Sequence, residues 1–222
     1  MKITAFQRFQ GWWLSTYARL VWRTAHYQVE GQEHVNRVHA AGSPLIIAAW
    51  HGMTMMLTGY IVAAEDLSQY VIIVPKDPRG ATLSVWIRRM HATPFHISMG
   101  SESLVAARRL LALIRQMKQG KNLYVNPDGP YGPSREPKLG VAFIARKVGA
   151  LIVPAGAFTA TGIDIPRWDQ YVVPFPFSRI SVVLGEPLEV PPQVELEQAQ
   201  VMIQQGLNEA ERSAREVYYA GI

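Results

Sequence analysis

His51 closes an apolar run over 45–50 and stands directly before a helix-like stretch, in Trp50-His51-Gly52. An imidazole is the side chain best suited to moving a proton near neutral pH, and strand ends are where α/β sheets place reactive groups. Gly52 leaves room for another backbone or a ligand to come close. A lone histidine in such a place also serves as an ordinary structural residue, so the pattern around it matters. Three later apolar runs end in polar or glycine-rich elements: Lys76-Asp77-Pro78-Arg79-Gly80 after 71–74, Ser98-Met99-Gly100-Ser101 after 95–97, and residues 126–135 after 121–125. The last, Asn126-Pro127-Asp128-Gly129-Pro130-Tyr131-Gly132-Pro133-Ser134-Arg135, is the most constrained, because Pro restricts φ and Gly supplies the left-handed positions. It holds one carboxylate, Asp128, among Arg135, Lys138 and the start of a helix, where an anionic group can be held. The other reading is a surface turn in which Asp128 only caps the backbone. Ser101 likewise opens a helix, as an anion site or as a plain cap.

Those elements need a scaffold, and the 222 residues suit one domain with a large core. With 49% hydrophobic and 18% charged residues the chain is not a disordered one. The absence of cysteine excludes disulfides, thiolate catalysis and Cys-based zinc sites. His91 and His96 straddle a predicted helix-to-strand break with few carboxylates nearby, so no metal site is expected. The net charge of +5 is unevenly spread: residues 71–150 carry thirteen Lys/Arg against four Asp/Glu, and residues 151–222 carry four against nine. Such a field suits phosphate-bearing partners. Nucleic acid is not expected, since no binding motif or stacking series of aromatics accompanies the cations.

Apolar runs at 45–49, 71–74, 94–97, 122–125, 151–158 and 180–184 read as strands, alternating with helices at 53–65, 80–91, 102–119 and 140–148. A closing helix carries Leu196, Ala199, Ile203, Leu207, Ala210, Ala214 and Val217 at three-and-four spacing. The expectation is a single α/β domain over 26–222, its central, mostly parallel sheet flanked by helices. Residues 44–64 lack Lys, Arg, Asp and Glu, but Pro44, Gly52 and Gly59 make them a poor spanning helix and a better strand, break and core helix. Arg8, Arg19 and Arg23 interrupt any secretory signal. Residues 1–25 read as an amphipathic helix in which Trp12, Trp13 and Trp22 accompany those arginines. That composition fits a helix lying in an anionic membrane interface, and equally one packed on its own domain.

Taken in order, Trp50-His51-Gly52, Lys76-Asp77-x-x-Gly80, Gly100-Ser101, Pro127-Asp128-Gly129-Pro130-x-Gly132-Pro133 and the block from Lys138-x-Gly140 through Ala145-Arg146 to Gly149-Ala150-x-Ile152-Val153-Pro154 resemble the lysophospholipid acyltransferase superfamily. The resemblance covers roughly residues 40–190 and looks closest to a bacterial branch catalogued as a domain of unknown function. It implies O-acyl transfer from acyl-CoA or acyl carrier protein to a lipid hydroxyl, with no bound cofactor, at the cytoplasmic face of the inner membrane as a peripheral protein. Better-known members use His-x-x-x-x-Asp, in which His is the general base and Asp orients it. His51 matches that His, and Asp128-Gly129-Pro130 occupies the place of a substrate-binding Glu-Gly-Thr block. Five residues after His51, however, stands Met56. The orienting group must then be Asp128, Asp77 or a backbone carbonyl, with Lys76, Asp77, Arg79, Ser101, Gly129, Pro130, Arg135 and Lys138 left to bind substrate. Without such a group the scaffold would bind lipid and not transform it; a lipid hydrolase is the third reading.

Overall fold

The computed structural model describes residues 3–97 and 104–221. Its elements are α1 (Ala5–Thr24), β1 (His26–Glu30), α2 (Gln32–Ala40), β2 (Leu45–Ala48), α3 (Thr54–Ala64), β3 (Tyr70–Pro75), α4 (Pro78–Arg89), β4 (Thr93–Ile97), α5 (Leu104–Lys118), β5 (Asn122–Val125), α6 (Leu139–Val148), β6 (Leu151–Phe158), β7 (Gly162–Ile165), β8 (Tyr171–Pro174), β9 (Arg179–Leu184) and α7 (Leu196–Ala220). Seven strands form one sheet in the order β1-β9-β6-β2-β5-β3-β4, and β7 and β8 make a separate antiparallel hairpin. All pairings in the large sheet are parallel except β6 with β9. This is the mostly parallel sheet flanked by helices that the apolar runs predict.

β2 is buried at every position because β6 and β5 flank its two edges and helices cover the two faces of the sheet. α3 is apolar all round and is buried from Met55 to Ile61 without interruption, packed between the sheet and α1. Residues 44–64 are therefore strand, 3₁₀ turn and core helix. No helix among the described residues is long and apolar enough to cross a membrane. Right-handed crossovers put α3 and α4 on one face of the sheet and α5 and α6 on the other. α1 joins the first group, and α7 packs on α6, β6 and β9.

The N-terminal helix packs one side on the domain and leaves the other exposed. A capping box, Thr4 with Gln7, starts it. Its inward stripe is Gly11, Ser15, Ala18 and Val21, and a Cβ at Gly11 would come within 2.5 Å of Val85 on α4. Ser15 Oγ accepts a hydrogen bond of 2.6 Å from Arg89 Nε. The large aromatics Phe6, Phe9, Trp12 and Trp13 are left exposed.

Candidate active site

The register of β2 and β5 brings the chemistry together. Ala48 is paired with Val125, and His51 and Asp128 each lie three residues beyond that pair. Two parallel strands thus deliver them to one sheet edge from positions 77 residues apart. His51 Nδ1 lies 2.8 Å from Asp128 Oδ1, and the His51 backbone N–H donates to the same carboxylate at 3.3 and 3.4 Å. Asp128 is fully buried, whereas the His51 side chain is 23% exposed. With the carboxylate ionised, Nδ1 carries the proton and Nε2 keeps its lone pair.

Several bonds hold this geometry. Asn126 Nδ2 donates to Ala49 O at 2.9 Å, tying the loop back to the end of β2. Gly129 N–H donates to Asn126 O at 3.1 Å, and Lys138 N–H to Pro127 O at 2.8 Å. Gly129 and Gly132 both take left-handed φ, +67° and +74°. Arg135, expected among the anion-holding groups, is used otherwise. Its guanidinium donates to both oxygens of Glu211 on α7, at 2.9 and 2.5 Å, and to Gln170 at 2.9 Å. That carboxylate raises the Arg135 pKa and compensates its charge. Gln204 Nε2 donates to Arg135 O at 2.7 Å, so α7 clamps the loop.

The other sequence candidates separate in the same way. Arg79 and Pro130 line the cavity that His51 lines. Asp77 caps α4, accepting from Gly80 N–H at 3.0 Å and from Arg79 at 2.6 Å. Burial raises the Asp77 pKa, but those donors outweigh it and hold the carboxyl below its usual range. Asp77 therefore does not reach His51, and Asp128 holds that place. Lys76 and Lys138 are exposed and do not line the cavity; Gly129 shapes the turn. Ser101 lies outside the described residues. Met56 is buried in α3, where its carbonyl accepts from Tyr27 OH at 3.2 Å.

The cavity has a volume of about 920 Å³ and is mostly apolar, with walls that include Trp13, Tyr17, Trp86, Ile163 and Arg167. Tyr124 and Tyr171 also line it, and burial pushes both hydroxyls up, so they stay neutral. A second cavity of about 460 Å³ sits at the opposite, N-terminal ends of the strands, where Tyr70 OH and His39 already engage Glu65 at 2.6 and 2.9 Å.

The hairpin turn supplies residues that no sequence motif marked. Trp168 sets an edge against the His51 ring at 5.3 Å, and its indole also abuts Gly132. Arg167 donates to the buried Asp169 at 2.9 Å. The Asp169 carbonyl lies where a Cβ on Gly52 would be, 2.4 Å away, with the Gln170 carbonyl at 2.9 Å. The close approach that Gly52 allows is therefore by this backbone. Gly52→Ala should lower stability by about 1–3 kcal/mol, the usual scale of overpacking, read as a fall in the thermal unfolding midpoint. An unchanged midpoint would show that the turn moves aside at no cost.

The fold is similar to the crystal structure of the 1-acyl-sn-glycerophosphate (LPA) acyltransferase PlsC from Thermotoga maritima, with a TM-score of 0.58 over 96% of this chain and 81% of that one, at 17% identity. The chain has an acyltransferase-like fold. In sequence it is 27% identical over 144 residues to an uncharacterized protein of Rickettsia prowazekii (strain Madrid E), a match that covers 65% of this chain and 63% of that protein. The chain thus spans less than two thirds of the length of that curated relative. No family model matches the chain.

Proposed function

We propose that this protein transfers a fatty acyl group from an acyl thioester, of coenzyme A or acyl carrier protein, to a hydroxyl of a lysophospholipid or related lipid. The observation that carries this reading is the His51–Asp128 pair, at 2.8 Å, on the wall of a largely apolar cavity of about 920 Å³. That volume lies within the roughly 300–1,000 Å³ of ordinary ligand pockets, and the apolar walls suit acyl chains. The acceptor hydroxyl gives its proton to His51 Nε2 as its oxygen attacks the thioester carbonyl carbon. The C–O bond forms, the C–S bond then breaks, and the imidazolium returns the proton to the departing thiolate. Asp128 stays ionised and stabilises the imidazolium between those steps. The thioester is a co-substrate, and the reaction draws on no bound cofactor.

Arg79 lines the cavity beside Pro130, with its guanidinium paired to Asp77 at 2.6 Å and lying over the Tyr131 ring at 5.1 Å. In this reading it meets an anionic part of a substrate, remote from the reacting carbonyl. Arg79→Ala should then raise KM several-fold while kcat changes little, because the contact is felt about equally in ground and transition states. A fall in kcat alone would place Arg79 at the reaction centre.

The protein works at the membrane surface, a peripheral protein of the cytoplasmic face, with the outward aromatics of α1 and the exposed Arg8 and Arg23 against anionic lipid. Vesicle sedimentation that weakens as salt rises tests this placement.

The chain has no cysteine, so a thiol reagent in the activity assay reports only coenzyme A released from acyl-CoA. Thiol release that requires lysophospholipid, with acylated lipid found by mass spectrometry, supports acyl transfer. Thiol release without acylated lipid favours hydrolysis, and lipid binding without thiol release favours a non-catalytic binding protein.

A further inference from the structure

We propose that the turn Phe175-Pro176-Phe177, between β8 and β9, inserts into the lipid bilayer beside α1 and holds the cavity mouth against it. This deepens the peripheral-membrane reading and rests on it. Phe177 is 75% exposed and Phe175 44%. Phe177 also has φ +64°, a left-handed conformation that is unfavourable for a bulky residue. An aromatic held outward at such a cost gains nothing from the core, so its partner lies outside the fold.

The turn is tied to α1. Phe177 N–H donates to Thr24 Oγ1 at 3.1 Å, and Tyr17 OH donates to Pro174 O at 2.9 Å. Thr24 follows Leu20, Tyr17, Trp13 and Phe6 by 4, 7, 11 and 18 residues, spacings that stack on one side of a helix. Phe6, Trp13 and Leu20 are all exposed, so Phe177 extends their ridge beyond the end of α1. Phe6 and Trp13 also line the cavity, as does the exposed Ile163 of the hairpin. The ridge therefore borders the cavity mouth. Arg8 and Arg23 are exposed on the same helix and suit an anionic lipid surface. A bilayer on this ridge would let an acyl chain pass sideways into the cavity without crossing water, whereas a protein seated there would close the mouth.

The absence of cysteine permits a direct test on the full chain. Phe177→Cys carries an environment-sensitive fluorophore, with Trp13→Cys as the α1 probe and Glu216→Cys, at an exposed site of α7, as the control. Vesicles of phosphatidylethanolamine and phosphatidylglycerol should shift the label at 177 to the blue, and lipids with nitroxide-bearing acyl chains should quench it. The label at 216 should do neither. Phe177→Ala should weaken vesicle sedimentation by about tenfold, the effect of losing part of a phenyl ring from an apolar phase. Insertion at 13 without insertion at 177 overturns the role of the turn and leaves the peripheral reading standing; insertion at neither site overturns both. A shift at 177 that needs no vesicles and grows with protein concentration would identify a second copy on the ridge and overturn the proposal. The labels report contact whether or not acyl transfer is observed, so this test stands apart from the assignment of the reaction.

Discussion

His51→Ala should slow acyl transfer by about 10²-fold or more, the usual scale for removing a general base. The loss should lie in kcat, because the apolar walls that bind the chains are untouched. Alanine also removes the ring-nitrogen partner of a fully buried carboxylate, leaving Asp128 the backbone N–H of residue 51 at 3.3 and 3.4 Å. Leaving a buried charge short of partners is destabilising, so the melting point should fall as well. The rates should therefore be compared well below both melting points. Transfer by folded His51→Ala within a few-fold of the unchanged protein would remove His51 from the mechanism.

The strands that carry this site were legible because they are short apolar runs bounded by turn residues, and a buried parallel sheet demands such runs. The site edge was legible for the same reason, since polar and glycine-rich segments followed successive strands. The choice among Asp128, Asp77 and a carbonyl was not, because it depends on which strands are neighbours. Only the placing of β5 beside β2, with Ala48 opposite Val125, brings Asp128 to the imidazole. β3 lies one strand further out, and Asp77 is occupied as the cap of α4. The pairing of Arg135 was not legible either, because its partner, Glu211, is 76 residues away on α7, and an ion pair that distant leaves no local trace. β1, β7 and β8 escaped notice because they are half-exposed and carry polar residues or short runs. Trp168 and Asp169 were lost with the hairpin, although the cluster Pro166-Arg167-Trp168-Asp169-Gln170 has the composition of a turn. In α1 the aromatics were plain to see, but the packing side was the stripe of Gly11, Ser15, Ala18 and Val21.

Asp128→Asn separates orientation from capping, since it keeps shape and volume and changes one donor–acceptor relation. An asparagine oxygen can still accept the His51 backbone N–H, so the loop should keep its form and the melting point should change little. The ring contact is different. If the amide NH₂ faces Nδ1, that nitrogen must accept, and the ring proton moves to Nε2. The base then presents a proton to the acceptor hydroxyl where it should present a lone pair. The amide also cannot neutralise the imidazolium that forms as the proton is taken. In a serine protease triad the equivalent change costs about 10⁴ in kcat, and a loss between about 10² and 10⁴ is the result to expect here. KM should move little, because Asp128 is buried and the cavity walls are unchanged. A kcat within a few-fold of the unchanged protein would return Asp128 to the role of a loop cap, and the group that sets the His51 tautomer would have to be sought elsewhere.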